Sequence, residues 1–474
     1  MIERTQALER IATARGLLGL ALPLAAGMGV GFLLHFINRL MLGWYSPEAL
    51  ASSHPAGMVA WTFQGFFVVS AGFVGTFAAQ HHGAGEDDEA GAMLWPALWL
   101  GLVATVVTVA LIPARHLLTI PFGIKDPVVA AGMSELLGWY LAETGPIVLM
   151  SALSGFIGGL GRTRLVFWLS AAACLVSIAL NRWLIFGGLG VPALGISGAG
   201  LATLGTSLLF MTIWASLVLR GPVAARFGTW RQRHAERTRL LRFARFSLPR
   251  GATEILEMVA FLVFSAAITR LSTAELNASN IAFQIYLLVL VPFIGFGQGL
   301  AIAIGQCLGA GRADLAWRTS RVAIALVLPI LALIAAAFAL LPGQLMGIYS
   351  FAGPGADAAT QARWDAVVTA GIPVMQVLAL GIVGDGLHWV FRMTLVGAGD
   401  TRWPLVVMVS AAIVTLSIPV WLLLTLVSPS TLAAWHLTVL SASYAIFVGY
   451  TWTISLVLFL RYRYGPWPRM SVRG

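Results

Sequence analysis

The stretch Gln80-His-His-Gly-Ala-Gly85 returns as Gln306-Cys-Leu-Gly-Ala-Gly311, 226 residues later. Each copy follows an apolar run of the length a helix needs to cross a bilayer, about 20 residues. One Gly-Ala-Gly match carries little weight in a chain with 51 glycines. Ala21-Leu-Pro23, however, also reappears 226 residues on, as Ser247-Leu-Pro249. Gly159-Leu-Gly-Arg-Thr-Arg164 reappears as Gly397-Ala-Gly-Asp-Thr-Arg402, now at an offset of 238. Three matches in the same order describe a duplicated half. The longer 345–365 connection supplies the extra residues of the second copy.

Composition identifies the material of each half. Of 474 residues, 59% are hydrophobic and 10% charged, with a mean hydropathy of +0.87. Soluble domains carry about 25% charged residues, so this surface has to meet lipid. Twelve spans are expected, near 16–42, 55–80, 93–114, 131–158, 165–188, 195–219, 246–270, 279–306, 319–344, 366–397, 403–428 and 435–460. The fold class is therefore an all-α polytopic membrane protein, with twelve transmembrane helices in two pseudo-symmetric six-helix lobes. Residues 1–220 form the N-lobe, 221–245 a basic linker and 246–474 the C-lobe. Parallel repeats of this kind flank a substrate path, and rocking one against the other gives alternating access.

The formal net charge of +10 comes almost wholly from arginine, with Lys125 the single lysine. Arginines gather at the N-terminus (Arg4, Arg10, Arg15), in the 4–5 loop (Arg162, Arg164), in the 221–245 linker, in the 8–9 loop (Arg312, Arg318, Arg321) and in the tail. The opposite loops hold mainly Arg115, Lys125 and Arg270. Basic short loops stay cytoplasmic, so both termini are expected inside. Charge scattered over loops, with no basic face, excludes a nucleic-acid surface. Cys174 and Cys307 have no partner spacing, which excludes a disulfide framework or a zinc site. No phosphate-binding GxxxxGK[ST] occurs, against an ATP-driven pump. The first apolar stretch is too long for a signal-peptide core and reads as the first span.

The motifs together resemble the multidrug and toxic compound extrusion (MATE) family over nearly the whole chain. The carriers are Pro23 and Pro249, the EALAS (48–52) and ELNAS (275–279) segments, QHHGAG with GQCLGAG, GLGRTR with GAGDTR, and NRWLIFGGLGVPALGISGAGLAT (181–203). The resemblance implies two lobes forming a V, and export of amphipathic, often cationic compounds driven by entry of Na+ or H+.

An ionisable group at bilayer depth costs at least about 2.5 kcal/mol on insertion scales and is a functional candidate by default. The intramembrane acids are Glu143, Glu254, Glu257 and Asp385. Glu257 lies eight residues after Pro249, and Asp385 fifteen before Asp400. The resemblance implies coupling carboxylates at both positions. Such a pair can bind Na+ or share a proton, or alternatively serve structure by pairing with Arg392 or Arg250. Glu254 shares a face with Glu257 and with Arg250. His388, one turn after Asp385, can relay protons. Gln284, with Phe283 and Trp389, is a candidate for the cavity wall. Glu143 either hydrogen-bonds within the N-lobe or neutralises an arginine there. His54, His81 and His82 lie at span ends and are expected to be solvated.

In the N-lobe the chain departs from the family pattern. The resemblance places Asn38 where many members have an aspartate, and Ser177 and Asn181 at a polar pair in the fifth span. These groups hydrogen-bond but neither carry charge nor exchange a proton in the useful range. Arg39 and Arg182 stand beside the two asparagines, either reaching for headgroups or paired inside the lobe with Glu143.

The sequence thus reads as a secondary efflux transporter, a monomer in the cytoplasmic (inner) membrane, with no cofactor, no enzyme activity and no nucleic-acid partner. H+ is favoured over Na+ because the acids are few. An Na+ site remains possible at Glu257 and Asp385. Two alternatives stay open. A flippase of lipid-linked precursors would use Arg39, Arg182 and Arg392 on a pyrophosphate. A polytopic membrane enzyme would need a cluster such as His81-His82 with Glu86, Asp87 and Asp88.

Overall fold

The structure is a computed structural model that describes residues 2–188, 190–234, 236–268, 271–350, 357–427, 432, 434 and 438–473. Arg270, the middle of the 345–365 connection and the expected start of the twelfth span at 435–437 lie outside them. The first half comprises α1 (Ile2–Ile11), α2 (Ala14–Tyr45), α3 (Pro47–Gly72), α4 (Val74–Ala84), α5 (Asp87–Ala92), α6 (Leu94–Leu111), α7 (Arg115–Thr119), α8 (Pro127–Gly159), α9 (Thr163–Phe186) and α10 (Gly195–Leu219). The connection holds α11 (Pro222–Phe227). The second half comprises α12 (Arg237–Ile268), α13 (Thr273–Gly309), α14 (Ala313–Leu340), α15 (Pro342–Gly347), α16 (Ala358–Ala398), α17 (Arg402–Ala411), α18 (Ile418–Leu426) and α19 (Val439–Tyr464). Among the described residues, eleven helical segments are long and apolar enough to span a bilayer. The remaining expected span is α12, an unbroken 32-residue helix that carries Arg250, Glu254 and Glu257.

Capping side chains set the helix starts. Ser46 accepts the Ala49 amide at 3.0 Å, with Pro47 at the first helical position; both features favour a start there. Ser272 with Glu275, and Thr438 with Ser441, form reciprocal capping boxes. Two starts differ from the hydropathy reading. The tenth span begins at Ala358 rather than 366, because Asp357 accepts the Thr360 amide at 3.1 Å. That bond and the Thr360 hydroxyl hold the Asp357 carboxyl below its usual range. The seventh begins at Arg237 rather than 246, so residues 237–245 of the expected linker are helix.

The remainder of that linker packs on the N-lobe. Phe227 is buried, Trp95 Nε1 donates to the Thr229 carbonyl at 2.6 Å, and Arg239 pairs with Glu89 at 2.9 Å. This overturns the expectation for two histidines. His81 is 2% exposed and bonds Glu86 at 2.7 Å, and His82 bonds Asp87 at 2.7 Å. The linker covers the end of α4, where open solvent was expected, and the acids beside the histidines serve as their partners. His54 is exposed.

Within each lobe, small residues let helices approach closely, as membrane interfaces require. A methyl on Gly159 of α8 would lie 2.3 Å from the Gly75 carbonyl oxygen of α4. At the duplicated positions, a methyl on Gly397 of α16 would lie 2.5 Å from the Ala301 carbonyl oxygen of α13. The motifs that revealed the repeat also join the two lobes. Gln80 Nε2 donates to the Gly397 carbonyl at 3.0 Å, and Gln306 Nε2 donates to the Gly159 carbonyl at 2.9 Å. A methyl on Gly83 would meet the Gln306 carbonyl oxygen at 2.2 Å, and one on Gly309 the Gln80 carbonyl oxygen at 1.9 Å. Further along the same seam, Gly295 and Gly299 of α13 rest on Ala25 and Ala21 of α2. The lobes are thus joined on the face that carries both termini.

Gly83→Val is therefore expected to keep this face from closing. Overpacking of this kind costs about 1–3 kcal/mol, and here it acts on the inter-lobe contact rather than on either lobe. The protein should insert and remain monodisperse in detergent, while transport in vesicles falls.

Candidate functional site

Three polar residues of α16 line up along one face: Asp385, His388 and Arg392, at positions i, i+3 and i+7. Each meets a different partner. Tyr286 Oη of α13 donates to Asp385 Oδ2 at 3.0 Å, and His388 Nδ1 lies 3.0 Å from Asp385 Oδ1. Arg392, fully buried, donates through Nη1 to Glu257 of α12. Its guanidinium also lies 4.8 Å from the centroid of the Trp389 ring. Arg250 sits 3.8 Å from Glu254, at ion-pair rather than hydrogen-bond distance.

Counting charges sharpens this picture. Two arginines, Arg250 and Arg392, face two glutamates, Glu254 and Glu257. The set is balanced. Asp385 stands outside it: its side chain is 16% exposed, and its hydrogen-bond partners are a phenol and an imidazole. Among the described residues it makes no ion pair with arginine or lysine. Glu257 and Asp385, expected as a pair, make separate contacts. The structural pairing weighed for Glu257 with Arg392 is present, and so is that of Glu254 with Arg250.

The surroundings of Asp385 are aromatic. Tyr286 stacks on Phe283, ring centroids 6.0 Å apart, and Phe447 meets both edge-on. Trp452 Nε1 donates to the Leu380 carbonyl at 3.0 Å and its indole lies against Gly384. Glu254 reaches the other lobe, its Cγ 3.3 Å from where a methyl on Gly65 of α3 would stand. Gln284 is exposed. It lies on the stripe of α13 that bears Gly295 and Gly299 three and four turns further on, the side turned toward α2.

In the N-lobe, Asn181 donates Nδ2 to the Ser177 carbonyl at 2.8 Å and to its hydroxyl at 3.2 Å. Ser177 and Asn181 are buried, and Asn38 partly so; the amide oxygens of both asparagines are enclosed with no hydrogen-bond donor among the described residues. The structure corrects the pairing of Glu143 with an arginine. Glu143 is 7% exposed and accepts from Ser207 of α10 at 2.7 Å. Arg182 is exposed and lies over the Phe186 ring, 4.7 Å from its centroid. Arg39 is exposed, its guanidinium passing over Gly57. Both cations are thus turned away from the acid.

Sequence reasoning missed Tyr286 and Ser207. A signal for Tyr286 exists, since it follows Phe283 by one turn. Ser207 gave none, being one of many small hydroxyl residues in an apolar helix. The cluster weighed for an enzyme, His81-His82 with Glu86, Asp87 and Asp88, is a set of local hydrogen bonds at the start of α5. No group of three or more metal-binding side chains occurs among the described residues.

Comparison with known proteins places this arrangement. Residues 23–183 and 249–423 match the MatE family profile. A probable multidrug resistance protein NorM from Synechocystis sp. is 27% identical over 83% of this chain and 84% of its own. A protein of the same description from Pseudomonas aeruginosa is 29% identical over 71% and 69%. Among solved structures, the outward-facing conformation of a multidrug resistance MATE family transporter of the MOP superfamily superposes with a TM-score of 0.81 at 19% identity, covering 96% of this chain and 97% of that one. Another, from Pyrococcus furiosus, has a TM-score of 0.80 at 18% identity over the same shares. At these identities the structures establish the fold.

Proposed function

The chain belongs to the MatE family of multi-pass membrane transporters, which are not enzymes and run on ion gradients without a cofactor, and from that premise we propose that it exports amphipathic organic cations in exchange for protons taken up at Asp385. One observation carries this reading: of the intramembrane acids of the C-lobe, Glu254, Glu257 and Asp385, Asp385 is the one that makes no ion pair with arginine or lysine among the described residues. A charged carboxylate at this depth is costly unless a cation is bound to it. Protonation and a cationic compound therefore compete for the same negative charge, which is the requirement for antiport. His388 links Asp385 to the interior of α16 and offers a second nitrogen for the proton's passage, as its Nε2 is buried without a partner among the described residues. Tyr286 ties the state of Asp385 to α13, the helix that also carries Gln306 into the seam.

Protons fit better than Na+. A hard cation seeks several oxygen ligands. Here Asp385 and Tyr286 offer three oxygens, and the charge of Glu257 is already spent on Arg392. In the N-lobe, Asn38, Ser177 and Asn181 carry no charge, and the buried acid Glu143 accepts from Ser207 rather than meeting an arginine. The flippase reading gains no support from the arginines it needs. Arg392 is buried on Glu257 and Arg182 lies on Phe186, leaving Arg39. The relatives named multidrug resistance proteins support export of compounds. The basic loops on the terminus-bearing face support cytoplasmic termini in an inner membrane.

Proteoliposomes with separately imposed gradients test the proposal, with ethidium as the first compound. Ethidium movement driven by a pH gradient alone is the expected result. Movement driven by an Na+ gradient at constant pH, with none from the pH gradient, would refute proton coupling.

A further inference from the structure

The end of the chain crosses from its own lobe to the other one. After α19, Trp467 is fully buried, donates Nε1 to the Tyr462 carbonyl at 2.6 Å and packs on Trp317, centroids 4.8 Å apart. This turns the chain back beneath the lobes. Val472, also fully buried, is wedged beside Gly399, where a methyl would meet it at 2.5 Å. The Val472 amide and the Ser471 hydroxyl donate to Gln80 Oε1 at 2.9 and 3.2 Å. Arg473 pairs with Glu86 at 3.0 Å, and its carbonyl accepts from Arg242 at 2.6 Å.

Gln80 and Glu86 belong to the N-lobe, whereas α19 and its extension belong to the C-lobe. Gln80 is therefore gripped at both ends of its amide by the opposite lobe. Its nitrogen is held by Gly397 and its oxygen by the tail. Rocking the lobes apart on this face has to pull Gln80 and Glu86 out of reach of residues 471–473. Among the described residues, the hydrogen bonds and ion pair of residues 471–473 to other segments go to the seam and the elements bordering it.

We propose that residues 471–473 form a latch on Gln80 and Glu86 that sets how much of the protein rests with the terminus-bearing face closed. The proposal rests on the alternating-access reading above, in which that face must open during each cycle. Gln80 is here a positioning residue.

The test uses the full chain in liposomes, with Cys174→Ala and Cys307→Ala, and spin labels at Arg164→Cys and Arg402→Cys. These two exposed positions sit in the first turns of the equivalent helices α9 and α17 of opposite lobes, so pulsed dipolar spectroscopy between them reports opening of this face. The intact tail should give mainly the short distance. Removing residues 471–474 should raise the open-to-closed ratio about tenfold, the scale of losing a buried hydrogen bond and an ion pair. Ser471→Ala with Arg473→Met should act in the same direction at full length, covering the case in which the shortened chain fails to insert. Gln80→Met should also favour opening. Combined with the deletion it should shift the ratio by less than the product of the two effects, because both remove the same bonds. Unchanged distances in the deletion and the double substitution, or effects that multiply independently, would overturn the latch. Efflux by the intact chain is scored separately. A failed latch with pH-driven efflux leaves the transport reading standing, and a working latch without efflux leaves the latch standing.

Discussion

Asp385→Asn is expected to bring pH-driven ethidium efflux down to the level of protein-free vesicles, with the protein still inserted and folded. Asparagine keeps the size of the side chain and can still accept from Tyr286 Oη at its oxygen. What it loses is the ability to gain and release a proton, together with the negative charge a cationic compound would meet. A purely structural role predicts the opposite pattern, with lowered stability and residual coupled transport. Melting temperature and efflux, measured on one preparation, separate the two. Asn38→Asp added to Asp385→Asn should not rescue efflux, because the proton site is assigned to the C-lobe through Tyr286 and His388. Full pH-driven transport by Asp385→Asn would remove Asp385 from the coupling step.

The second large effect concerns stability rather than coupling. Glu257→Gln leaves the fully buried Arg392 without its counter-charge. Breaking a buried pair from one side costs about 3–5 kcal/mol, whereas replacing both partners by apolar groups of similar volume is often neutral. Glu257→Gln should therefore lower the melting temperature in detergent sharply. Glu257→Leu with Arg392→Met should recover most of the loss. If the single substitution melts like the parent, Arg392 is compensated in some other way. If the double variant also recovers full efflux, the pair is scaffolding for Asp385. If it stays inactive while folded, Glu257 takes part in transport beyond its ion pair.

How much of this was legible in the sequence depended on the range of the interaction concerned. The repeat of Gln80 and Gly83 at 306 and 309 announced a duplicated fold, because a seam closed by backbone contact leaves little freedom at those positions. Hydropathy located the spans for the same reason it always does: the bilayer admits few charges. It misjudged the starts of α12 and α16, where a basic run continues as helix and where Asp357 supplies a cap. Asp385 and Glu257 stood out as acids in apolar surroundings. Their partners did not. Arg392 is seven residues from Asp385 in the chain yet bonds Glu257, 135 positions away. Ser207 answers Glu143 from another helix, and His81 lies buried under a segment that hydropathy reads as a free linker. Such pairings are set by helix rotation and packing, which no local pattern records.

The reciprocal glutamines at the seam bear on a cost that every exporter of this kind faces, namely leakage. A pump that spends an ion gradient loses its driving force if water can thread between the lobes and conduct protons. Here the two lobes meet through backbone, with the Gln306 and Gln80 carbonyls closer to Gly83 and Gly309 than any side chain would permit. The two amide groups cross the join in opposite directions and satisfy carbonyls on the far side. A file of water has no width to pass between those backbones. The glycines and glutamines that betrayed the duplication thus act as electrical insulation, keeping the stored gradient for the compound that is exported.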